Sequence, residues 1–165
     1  MSYWPESWPV TLQFVEGGGP TDKLIQYFSH GWATHVDIVW PPNMPGKPER
    51  LFGARWDHGV AIRQLDYENF AKIVRVTLPM TAEQNAKFFE FCRAQMGKPY
   101  DFSAELAFAI GRDWRCADHW FCSELGEAAT EHSGFWLPID NGANKVTPTD
   151  YLGLCSSRAK VEYIR

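Results

Sequence analysis

Thr34-His35-Val36-Asp37-Ile38-Val39-Trp40, halted by Pro41-Pro42, is the stretch whose reading decides the fold. Its β-branched and aromatic residues suit a pleated strand, and side chains on a strand alternate between faces. His35, Asp37 and Val39 therefore share one face and Val36, Ile38 and Trp40 the other.

On the N-terminal side, Val10 to Val15 alternates apolar and polar residues and runs into Gly17-Gly18-Gly19-Pro20, which reads as a strand closed by a turn. A helix over about 22 to 30 follows, capped by Thr21 or Asp22, with Leu24, Ile25 and Phe28 at helical spacing and Gly31 to end it. On the C-terminal side, the Pro- and Gly-rich stretch 43–48 reads as a loop. Arg50 to Arg55 and Val60 to Leu65 read as two further strands joined through Asp57-His58-Gly59, an antiparallel meander. Lys72 to Leu78 alternates once more. Thr81, three residues ahead of Gln84, is a capping box that opens a helix reaching about Met96, with Phe88, Phe89 and Cys92 as its buried stripe. Helices are predicted from about Phe102 to Ile110 and from about Cys122 to Glu131, and a final strand over Lys160 to Ile164. Strands with one early helix, then helices, then a terminal strand make an α+β fold rather than regular βαβ alternation. There is no internal repeat and no linker long enough to separate domains, so residues 1–165 are expected to form one domain.

Composition narrows the partners. Of the 165 residues, 45% are hydrophobic and 22% charged, which is ordinary globular usage and not that of a disordered chain. A net charge of −4 and the lack of any basic run exclude a nucleic-acid footprint, which needs clustered Lys and Arg. No apolar run is long enough to span a bilayer and the first residues have no signal-peptide pattern, so a cytoplasmic protein is expected unless another route delivers it. The four cysteines, Cys92, Cys116, Cys122 and Cys155, are read as free thiols. Aromatic residues make up 15% of the chain and serve equally as core or as walls of a cleft for an apolar or peptidic ligand.

The chemistry gathers at Trp120-Phe121-Cys122-Ser123-Glu124-Leu125. A cysteine at the start of a helix meets unpaired N–H groups and about half a positive charge, which favour thiolate and supply donors for an oxyanion. Such a nucleophile needs a base. Among His30, His35, His58, His119 and His132, only His35 lies within a strand that could hold an imidazole rigidly. Asp37, on the same strand face, could fix the tautomer of that ring. Cys122, His35 and Asp37 are thus the candidate catalytic residues, and no cofactor is called for.

Five segments in this order resemble the circularly permuted branch of the NlpC-like papain-fold hydrolases, in which the histidine strand precedes the cysteine helix. They are Trp32 to Val39 after an early helix, Gly59-Val60-Ala61-Ile62, Gly97-Lys98-Pro99-Tyr100-Asp101, Phe121 to Leu125, and Thr147 to Leu152. The resemblance implies a papain-like fold, an antiparallel sheet or barrel packed against helices, with Cys122 and His35 meeting across a cleft. It implies a cysteine peptidase or amidase acting on an amide, as in cell-wall peptides, or on an acyl ester, as a lipid acyl hydrolase or acyltransferase would. Tyr100 would line the cleft as a substrate-binding residue.

The chain departs from that pattern where the third polar residue is customary, because Leu51-Phe52-Gly53-Ala54 offers no polar side chain. Asp37 could substitute, Arg55 or Asp57 could intrude, or the site could be a dyad of lowered activity. Two rivals follow. One is a non-catalytic binding module on the same scaffold. The other is a zinc site at Cys116, His119 and Cys122, disfavoured because a structural site wants four ligands.

Overall fold

The structure is a computed structural model that describes residues 8–42, 44, 46–101, 120–137 and 146–165. The expected helix from Phe102 to Ile110, with Cys116 and His119, lies outside the described residues.

Six strands form one antiparallel sheet: β1 (Thr11–Glu16), β2 (His35–Trp40), β3 (Arg50–Arg55), β4 (Gly59–Arg63), β5 (Lys72–Thr77) and β6 (Lys160–Tyr163), in the spatial order β4-β3-β2-β1-β5-β6. The first four run as the expected meander. β5 then pairs with the free side of β1, and the chain end adds β6. Among the described residues the sheet is open, with β4 and β6 at its ends, so the closed-barrel alternative does not hold.

Four described helices accompany it: α1 (Pro20–Ser29), α2 (Ala82–Ala94), α3 (Cys122–His132) and α4 (Pro148–Ser156). The capping box of α2 forms as expected, with the Gln84 N–H donating to Thr81 Oγ1 at 3.2 Å and the Thr81 N–H to Gln84 Oε1 at 3.0 Å. The ends of α1 differ from the reading of the sequence. Gly19 is its N-cap, Pro20 opens the helix, and Asp22 sits at the third position, where its carboxylate accepts the Gly19 N–H at 2.8 Å. At the other end His30, not Gly31, takes the left-handed conformation, with φ 51°. Gly31 is instead a packing requirement, because a Cβ there would run into the side chain of Thr149 on α4. The helix α4 goes beyond the expected elements, and Thr147-Pro148-Thr149-Asp150 supplies the cap, the proline and the acidic third residue of its start.

Strand alternation sorts β2 as expected. Val36, Ile38 and Trp40 join Leu12, Phe14, Phe52, Val74 and Val76 in the main apolar core, which Phe88, Phe89, Leu125, Ala129 and Tyr151 complete from the helices. His35 and Asp37 alternate with those core residues and so belong to the other face, yet every residue of β2 is buried. Helix α3 packs against both β2 and β3, and α2 packs against α3. That packing brings the first residue of α3 to the first residue of β2.

Candidate active site

Cys122 is the first residue of α3, behind Phe121 in extended conformation (φ −83°, ψ 153°). Glu124 closes the first turn by accepting the Phe121 N–H at 3.4 Å, an anion where the helix dipole favours one. Ser123 anchors the same turn by donating to the Val146 carbonyl at 2.5 Å. The first N–H groups of a helix point out along its axis, and Cys122 stands at that end of α3.

His35 opens β2 beside it. Its Nε2 lies 3.0 Å from Asp37 Oδ1, and its ring also hydrogen-bonds with Cys122. With Nε2 committed to Asp37, Nδ1 is the nitrogen left for the sulfur. All three groups are buried: Asp37 is 1% exposed, Cys122 2% and His35 6%. Burial alone would discharge the imidazole, but the Asp37 carboxylate and the Cys122 sulfur outweigh it and raise His35 from 6.5 to about 9. Burial likewise opposes the charge on Asp37, and its hydrogen bonds with His35 and Tyr67 and the nearby Arg55 hold it below the usual carboxylate range. An ionised carboxylate can only accept, so Nε2 carries the proton between them.

Glycine in β3 explains how Asp37 comes to be there. The β2–β3 register pairs Ile38 with Phe52, and carried one step further it sets Gly53 beside Asp37. A Cβ on Gly53 would overlap Asp37 Oδ1. The segment Leu51 to Ala54 therefore contributes to the site by what it lacks: the missing side chain is the space the carboxylate occupies.

The second carboxylate oxygen has a partner the sequence did not reveal. Tyr67, in the connection from β4 to β5, donates its hydroxyl to Asp37 Oδ2 at 2.7 Å. Arg55 Nη1 donates to that same hydroxyl at 3.1 Å, and Arg55 Nη2 reaches Glu68 Oε2 at 2.5 Å. Of the two suggested intruders, Arg55 thus acts through Tyr67, whereas Asp57 turns outward to Arg63 at 3.5 Å. No periodicity or motif points from Tyr67 to a residue 30 positions earlier; the only signal available was a tyrosine between two strands.

Beside His35 a cleft of about 530 Å³ opens between the start of α1 and the end of β3, lined among others by Pro20, Ile25, Thr34, Arg55, Trp56 and Glu68. That volume suits a small ligand or one segment of a larger one. Trp56 stands 60% exposed on its rim. Tyr100 lies elsewhere: it is 7% exposed, pairs with Trp120 as an isolated bridge and packs 5.9 Å from the ring of Phe121. It thus supports the residue that precedes Cys122. The structure brings Cys122, His35 and Asp37 together and sets Tyr100 one residue behind them.

No family model and no curated protein matches this chain. Among solved structures, the crystal structure of metalloprotein yiiX from Escherichia coli O157:H7, DUF1105, superposes with a TM-score of 0.66 at 17% sequence identity, covering 98% of each chain. At that identity the likeness is one of fold. It corrects the family resemblance drawn from the five sequence segments, because a solved structure that shares the fold end to end carries the DUF1105 designation and not that of the NlpC-like papain-fold hydrolases. The segments were short, and each alone recurs by chance outside that family. The word metalloprotein describes that neighbour. Among the described residues of this chain, no group of three or more His, Cys, Asp and Glu side chains is arranged to hold a metal ion. The chain is thus an α+β protein that shares its fold with a DUF1105 metalloprotein.

Proposed function

We propose that this protein is a cysteine hydrolase with a papain-like site, in which Cys122 attacks the carbonyl of an amide or acyl ester. The observation that carries the reading is the contact of Cys122, at a helix N-terminus, with a histidine whose far nitrogen is held by a buried carboxylate. The Cys122 thiolate forms a bond to the carbonyl carbon, and the resulting oxyanion is met by N–H groups of the first turn of α3. The bond to the leaving amine or alcohol then breaks, and the His35 imidazolium donates the proton that group needs. Water enters, gives a proton back to His35 and displaces the acyl group from sulfur. Asp37 keeps the ring in one tautomer throughout and stabilises its charged form.

The near-complete burial of Cys122 favours a second reading, a non-catalytic module that binds its ligand in the cleft without turnover. Iodoacetamide alkylation of the native protein against pH separates the two. A working pair makes Cys122 react below pH 7, and His35→Ala abolishes that acid-side reactivity. If Cys122 is no faster than Cys92 and Cys155, and neither peptide amides nor acyl esters are turned over, the binding module is the answer.

A further inference from the structure

The Asp37 carboxylate sits in a pocket that gives it little mechanical support. It is 1% exposed, so water does not hold it, and on the β3 side Gly53 offers space instead of a side chain. Oδ1 faces His35, and a carboxylate tied by one oxygen can still swing about its own axis. The group that stops this swing comes from an irregular connection. Tyr67 donates to Oδ2 at 2.7 Å, and Tyr67 is itself held from several sides. The Arg55 guanidinium lies 5.0 Å above its ring and bonds its hydroxyl, the Arg63 guanidinium lies 5.8 Å away, and the edge of Phe70 meets the ring at 5.3 Å and 81°. Arg63 is in turn fixed to the backbone of the hairpin by bonds to the Gly53 and Gly59 carbonyls, both 3.0 Å.

We propose that Tyr67 is a positioning residue: braced by Arg55, its hydroxyl clamps the Asp37 carboxylate against His35 and so keeps the imidazole aimed at Cys122. Burial and the neighbouring Asp37 charge push the Tyr67 phenol up, so it remains a neutral donor over the working range of pH. Among the described residues, the charged and titratable groups around His35 and its partners are Cys122 from α3, Asp37 from its own strand, Arg55 from β3, Tyr67 and Glu68 from the following connection with Arg63 of β4 behind Tyr67, and Asp22 from α1 across the cleft. Of these, Tyr67 is the one whose loss loosens Asp37 without changing any formal charge. The consequence for rate rests on the hydrolase reading; the consequence for His35 does not.

The test uses the full chain and two readouts, the nuclear magnetic resonance titration of the His35 ring and iodoacetamide alkylation of Cys122. In Tyr67→Phe the His35 midpoint is expected to fall by about one pH unit from its place near 9, which leaves about tenfold less imidazolium on the alkaline side. Alkylation slows by the same factor. Because Tyr67 acts through Asp37, the same substitution in an Asp37→Asn background changes the rate by less than about twofold. A lowered melting temperature with an unmoved or raised His35 midpoint, or equal slowing in both backgrounds, overturns the proposal. Should Tyr67→Phe not fold, 4-fluorophenylalanine at position 67 keeps the ring and fills the place of the hydroxyl while removing the donor, and an unmoved midpoint overturns the proposal equally. A fallen midpoint with Cys122 inert and no turnover refutes the hydrolase reading alone; a reactive Cys122 with an unmoved midpoint refutes the Tyr67 role alone.

Discussion

Two buried clusters in this protein are built from nearly the same residue types and behave in opposite ways. One joins Cys122, His35, Asp37 and Tyr67 where α3 meets β2. The other joins Cys155, Tyr151, Thr130 and Glu127 between α3 and α4, where the Thr130 and Tyr151 hydroxyls are 2.7 Å apart and Thr130 also donates to the Gly126 carbonyl at 2.9 Å. In the second cluster burial pushes both the Cys155 thiol and the Tyr151 phenol up, and Glu127 adds to the effect. The Cys155 thiol and the Tyr151 phenol are thereby held neutral and serve as packing. In the first, a histidine between sulfur and carboxylate reverses the outcome of burial, so that His35 and Asp37 are held charged. The difference teaches that burial alone drives titratable groups to their neutral forms, whereas a histidine set against a carboxylate keeps both charged.

Exchanging the two cysteines for alanine breaks or sustains this contrast most sharply. Cys122→Ala is expected to lose hydrolysis to background, a drop of about 10⁴-fold or more, with stability close to that of the parent. Cys155→Ala should do the reverse, keeping turnover while losing roughly 1 kcal/mol in urea denaturation. An active Cys122→Ala protein removes the nucleophile assignment.

Next in size is Asp37→Asn, which keeps the shape of the side chain and removes its charge. By analogy with hydrolytic triads, it should slow turnover and acid-side alkylation by about tenfold to ten-thousandfold while the fold survives. An unchanged pH profile takes Asp37 out of the site. Gly53→Ala probes the same carboxylate from outside, since its Cβ claims the space of Asp37 Oδ1. A rate loss of about tenfold is expected, with a stability cost of roughly 1–3 kcal/mol from overpacking. A rate equal to that of the parent would mean that the carboxylate can move aside without consequence.

The pH dependence of stability distinguishes the clusters by window. His35 binds its proton more tightly folded than unfolded, so its contribution is complete below about pH 6.5 and is lost as pH rises toward about 9. Asp37 works in the other direction: its contribution is present above the unfolded carboxylate range and lost as pH falls through its depressed folded value. Cys155 and Tyr151, raised as neutral acids, begin to matter only above the ordinary thiol and phenol ranges. Urea midpoints should therefore decline between pH 6.5 and 9 in the parent and stay flat there in His35→Gln. The smallest effect is assigned to Tyr151→Phe, which removes the bond to Thr130 at a cost of about 1 kcal/mol and leaves the alkylation profile of Cys122 unaltered.

Legibility in the sequence followed the range of the interactions. Strands β2, β3 and β5 and helix α2 are marked by periodicity, prolines and a capping box, all of which act within a few residues, and they form within a residue or two of the expected bounds. Where two local signals competed, the outcome was set by a distant partner. Gly31 reads as a helix stop, yet it is conditioned by Thr149, and the left-handed turn falls on His30. Helix α4 has local start signals but no strong helical stripe of apolar residues to extend them, so its sequence does not mark it as a helix.

By itself, the sequence determined that His35 and Asp37 would share a strand face and that Cys122 would begin a helix, because strand alternation and helix entry depend on neighbours in the chain. Nothing local could decide that those two elements meet. The packing of α3 on β2 and β3 did so, bringing Cys122 to His35 across 87 positions of chain. Only the tertiary structure revealed that Gly53 makes room for Asp37 and that Tyr67 and Arg55 stand behind it. Those contacts follow from sheet register and from the path of an irregular connection, and register is decided by which faces bury best over the whole sheet.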